Sequence, residues 1–96
     1  MFTSFNIMLF LAAFMALWRA GEIDGPAMEK VLCDWFKLMR GAGIEPGNAA
    51  IDALLTAAVA DRGMEVDALL KCDPKFAAFL HLLRQAEATC GKREAV

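Results

Sequence analysis

Ile7-Met8-Leu9-Phe10-Leu11-Ala12-Ala13-Phe14-Met15-Ala16-Leu17-Trp18 runs without a polar side chain and stops at Arg19. A helix that is apolar on nearly every face belongs in the centre of a core or between subunits. The run therefore predicts a helix from about Ser4 to Ala20 with more apolar surface than one neighbour can cover. Phe5, Met8, Leu9, Ala12, Met15 and Leu17 cannot all point into one small core, so this segment is where an interface is expected.

Two other readings of the run are weaker. A secretory signal places Lys or Arg ahead of its apolar stretch, and Met1 to Asn6 contains neither. A membrane span needs roughly 20 apolar residues, and extending this run back to Phe2 takes in Thr3, Ser4 and Asn6. The alternative to a protein interface is a membrane-associated small subunit anchored by this helix, with the amphipathic remainder in water.

Outward from the run, the chain is cut by glycine and proline. Gly21-Glu22-Ile23-Asp24-Gly25-Pro26 ends one helix and opens the next. From Pro26 to Arg40, Met28, Leu32, Trp35, Phe36 and Met39 recur at spacings of three and four, the mark of one buried helical face. Glu29, Lys30, Asp34, Lys37 and Arg40 take the other side. Gly41-Ala42-Gly43 closes that helix, Glu45-Pro46-Gly47 turns the chain, and Asn48 suits an N-cap. A third helix follows from Ala49 to Arg62, with Ile51, Leu54, Leu55, Ala58 and Val59 inward and further alanines that permit close helix approach. Gly63 ends it. A short helix is expected within Met64 to Lys71. Asp73-Pro74 repeats the cap-plus-proline start and leads a last helix to about Thr89, with Phe76, Phe79, Leu80 and Leu83 as its core stripe.

No segment alternates with period two, so the expected fold is all-α: a compact, self-associating bundle of four to five short helices. Residues 1–90 form a single helical domain and residues 91–96 a polar tail. A chain of 96 residues holds one core. Its 58% apolar content is more than such a core can hide.

The charge balance narrows the function classes. Ten Lys and Arg are interspersed with twelve Asp and Glu, for a net charge of −2; this argues against nucleic acid, whose backbone attracts clustered cations. Cys33, Cys72 and Cys90 are odd in number and lack a paired motif, which predicts a reduced, cytoplasmic protein using them as small core or boundary residues, the alternative being one intermolecular link with Cys90 as the better candidate. Cys72, Asp73, His81 and Cys90 form only a loose grouping. Nine-residue steps along a helix separate the side chains by about 13 Å, too far to share an ion. No nucleophile–base pair or phosphate loop is recognisable, so neither enzyme activity nor a cofactor or metal is expected.

Arg19-Ala20-Gly21-Glu22-Ile23-Asp24 is loosely echoed by Asp61-Arg62-Gly63-Met64-Glu65-Val66-Asp67. The spacing exceeds the roughly 34 residues of tetratricopeptide hairpins, and no third unit follows. An antiparallel bundle explains the same punctuation.

The functional expectation is a non-enzymatic protein-binding module, such as a small regulator, inhibitor or chaperone-like protein, which also forms a homodimer. Large aromatics dominate interfaces, so the expected contacts are Phe2, Phe5, Leu9, Phe10, Phe14, Trp18, Trp35 and Phe36.

Overall fold

In a computed structural model, residues 4–43 and 48–91 are described, with side chains for 9–43 and 50–90. Among them are five α-helices: α1 (Ser4–Arg19), α2 (Gly25–Gly41), α3 (Asn48–Arg62), α4 (Val66–Cys72) and α5 (Pro74–Ala86). The described residues contain no strand, so the all-α expectation holds. The expected turn at Glu45-Pro46-Gly47 and the tail after Gly91 lie outside the described residues, as does the Asn48 side chain expected to cap α3.

Local chemistry sets the helix starts. The Asp24 carboxylate accepts from the Ala27 N–H at 2.9 Å, and Pro26 occupies the first turn of α2. Asp73 does the same for α5, accepting from the Phe76 N–H at 3.1 Å ahead of Pro74. Each cap satisfies a donor that the first helical turn leaves without a partner. At the other end of α3, Gly63 reverses the chain at φ +63°, a conformation that L side chains rarely adopt. The last helix differs from expectation. It changes at Glu87 into a π-helical turn, Glu87–Gly91, instead of running on as α-helix to Thr89.

Two packing systems share α5. In the first, α2 lies against α5 and the π-turn. All five predicted stripe residues of α2 are buried, and Phe76, Phe79, Leu80 and Leu83 of α5 meet them in the core. Cys33 on α2 and Cys90 in the π-turn form a disulfide with Cα atoms 5.3 Å apart. The expectation of reduced cysteines, or of an intermolecular link through Cys90, is thereby corrected: the link is within the chain and only Cys72 is free. The pair is separated by 57 residues, so only the tertiary fold brings it together.

In the second system α1 packs on α3, and α1 also reaches α5. This seam is lined by smaller side chains. Leu11 is the one fully buried residue of α1 among those whose side chains are described, with Ala50, Ile51 and Leu54 buried opposite on α3.

Candidate functional site

The feature that sets this molecule apart is α1, whose two flanks do different things. Its core flank carries Leu11, Met15 and Trp18 inward, while Phe10 and Phe14 lean on Trp35 of α2 with ring centroids at 6.3 and 5.7 Å. Its outer flank stays uncovered. Leu9 is 59% exposed and Leu17 41%, and Ala13, Ala16 and Ala20 beside them are exposed as well. At about 100° per residue these side chains share one stripe that carries no charge.

The expected contact residues divide accordingly. Phe2 lies outside the described residues, and Phe5 sits on α1 with its side chain outside them. Leu9 is on the open stripe. Phe10, 40% exposed, forms its edge while touching Phe14 and Trp35. Phe14 and Trp18 are half-buried. Trp35 and Phe36 are core residues in the monomer at 4% and 0% exposure. They stand on the buried stripe of α2, and their rings pack on each other at 5.1 Å, so a partner could reach them only by opening the bundle. The Trp35 indole N–H is buried there without an acceptor among the described residues.

A cluster that sequence reasoning did not find ties the two packing systems together. Arg19, the last residue of α1, holds Asp73 with Nη2 to Oδ2 at 2.6 Å and Nη1 to Oδ1 at 3.4 Å. Arg62, at the end of α3, donates from Nη1 to the same Oδ2 at 3.0 Å. The carboxylate that caps α5 is thus also the acceptor for the ends of two other helices. Lys75 completes the junction: its Nζ donates to the Trp18 and Arg19 carbonyls at 3.3 Å, and its own carbonyl accepts from Trp18 Nε1 at 2.9 Å. A cation at the carbonyl end of α1 also complements the helix dipole.

Asp73 is 7% exposed. The Arg19 hydrogen bonds outweigh its burial and, with the Phe76 N–H and Arg62, bring its pKa down from 3.8 to about 2. The one sequence signal for this cluster was the echo, because Arg19 and Arg62 each stand one or two residues before a helix-ending glycine. Its meaning is convergence on one carboxylate.

Above this cluster, between α1 and α3, opens a cavity of about 590 Å³. Its sides are Ala12, Met15 and Ala16 from α1 and Ala53, Ala57 and Ala58 from α3, and Leu69 and Phe76 contribute from α4 and α5. Its charged lining residues are Arg19, Asp61, Arg62 and Asp73.

The residues once grouped as loose ligands do not meet. Cys90 is in the disulfide, Asp73 is held by arginines, and His81 and Cys72 are exposed. Among the described residues no three His, Cys, Asp or Glu converge as a metal site. Nor is any described helix long and apolar enough to cross a membrane; α1 has 16 residues, which at 1.5 Å per residue span about 24 Å. Comparison with protein-family models, curated proteins and solved structures finds no match to this chain.

Proposed function

We propose that this chain is a non-enzymatic interaction module, a small regulator, inhibitor or chaperone-like protein, that presents the outer stripe of α1 to the helix of another protein. In the simplest case that helix is α1 of a second copy. The observation that carries the reading is the exposure of Leu9, Phe10 and Leu17 on a helix whose opposite flank is already packed. Covering such a stripe returns roughly 25 cal/mol for each Å² of apolar surface removed from water. The alanines favour an isologous pairing: Ala13, Ala16 and Ala20 let two helices approach closely, and no charge is carried into the interface.

The test is molar mass by light scattering over a concentration series, comparing the native chain with Leu9→Asp/Leu17→Asp. Both positions are exposed, so the double variant should keep its helical circular dichroism while shifting to monomer. Phe10→Asp is the less clean probe because its ring also packs on Trp35. A native chain that is monomeric at every concentration would remove the homodimer, and a double variant that self-associates as strongly as the native chain would remove the α1 stripe.

A further inference from the structure

The cavity between α1 and α3 adjoins the proposed interaction stripe, with Ala16 at the shared edge, and has a chemistry of its own. We infer that it is a binding site for an aliphatic carboxylate, with the hydrocarbon chain lying between the two helices and the carboxylate at the arginine end.

Three observations lead there. The volume of about 590 Å³ falls within the roughly 300–1,000 Å³ of small-molecule sites. Next, the walls are segregated: the body of the cavity is lined by alanine, leucine, methionine and phenylalanine, whereas its four charged residues all belong to the helix ends that meet at Asp73. A site that is apolar along its length and polar at one end suits an amphiphile. Methyl-sized rims at Ala12, Ala16, Ala53 and Ala57 suit a thin flexible chain better than a ring system.

The sign of the head group follows from hydrogen-bond supply. Asp73 already accepts from Arg19, Arg62 and the Phe76 N–H, so it has little to offer a cation. Each guanidinium has five N–H donors. Arg19 and Arg62 spend only some of theirs on Asp73, and both side chains are 42% exposed. Planar donors held in place by a buried anion are suited to a carboxylate. Asp61 stands at the same end, exposed like the two arginines, and its like charge opposes a carboxylate there.

The experiment is a titration of the native chain, ¹³C-labelled at alanine and leucine methyls, with dodecanoate, dodecanol and dodecyltrimethylammonium, each below its micellar concentration. Dodecanoate should bind saturably at one per chain and shift the methyls of Ala12, Ala16, Ala53 and Ala57. Arg62→Gln should weaken dodecanoate by about tenfold, the loss of one charge-assisted hydrogen bond, with dodecanol unaffected. Asp61→Asn, at an exposed position outside the packed core, should tighten dodecanoate by about threefold by removing a like charge. Equal affinity for the cationic amphiphile, shifts confined to the Leu9 and Leu17 methyls, or no saturable shift would each overturn the inference.

Discussion

The α2/α5 half and the α1/α3 half bury apolar surface by different means. The first uses large residues on two strongly amphipathic helices, with Trp35, Phe36, Phe76 and Phe79 in one core, and adds a covalent link between Cys33 and Cys90. The second uses small residues, is joined to α5 through the Asp73 carboxylate and the Lys75 hydrogen bonds to Trp18 and Arg19, and leaves both a cavity and an open stripe. Large buried residues are therefore concentrated in one half, and the half proposed to bind is the one with fewer of them, as is usual where functional surfaces come from the less tightly packed regions.

The sharpest way to break this contrast is a pair of truncations. Phe36→Ala, at a fully buried position, should cost about 3–5 kcal/mol, whereas Leu17→Ala on the open stripe should stay within about 0.5 kcal/mol. Chemical denaturation of the two variants at a concentration where the chain is monomeric measures both. Comparable losses would mean that α1 is as much a core element as α2.

Reduction is next in size. Opening a link across 57 residues should lower stability by about 4 kcal/mol on the chain-entropy account. Hydrogen exchange should then rise first at the π-turn and the facing part of α2. Acceleration that began in α1 would contradict the division.

Acid should loosen the junction between the halves. Because the folded pKa of Asp73 lies below its ordinary value, at about 2 against 3.8, its contribution is complete above the ordinary value. It is lost as the pH falls from about 4 towards 2. The shift is worth about 1–2 kcal/mol once screening by water around the half-exposed arginines is allowed for. Asp73→Asn should flatten the native pH dependence in that range, and an unchanged profile would place the acid sensitivity elsewhere.

The same contrast explains what could be read in advance. The α2 and α5 stripes were legible because large apolar residues at spacings of three and four leave a single possible buried face, and Asp24-Gly25-Pro26 and Asp73-Pro74 marked the starts. The exposed side of α1 was legible only as a surplus, since a helix with no polar face does not say which face it hides. Trp35 and Phe36 were expected at an interface by aromatic type, and their positions on the α2 stripe account for their burial in the monomer. The Cys33–Cys90 link and the Arg19–Asp73–Arg62 cluster were hidden because their members lie up to 57 residues apart. No local pattern encodes such a meeting.

The central claim, that the outer stripe of α1 is a protein interface, is tested most directly by placing a thiol on it. In a Cys72→Ser background, Ala13→Cys on the stripe and Thr56→Cys on the exposed side of α3 are each treated with a short bismaleimide, which spares the Cys33–Cys90 disulfide. Efficient covalent dimer from Ala13→Cys and little from Thr56→Cys is the predicted result. Equal, concentration-driven cross-linking at both positions, or none at Ala13→Cys, would contradict it.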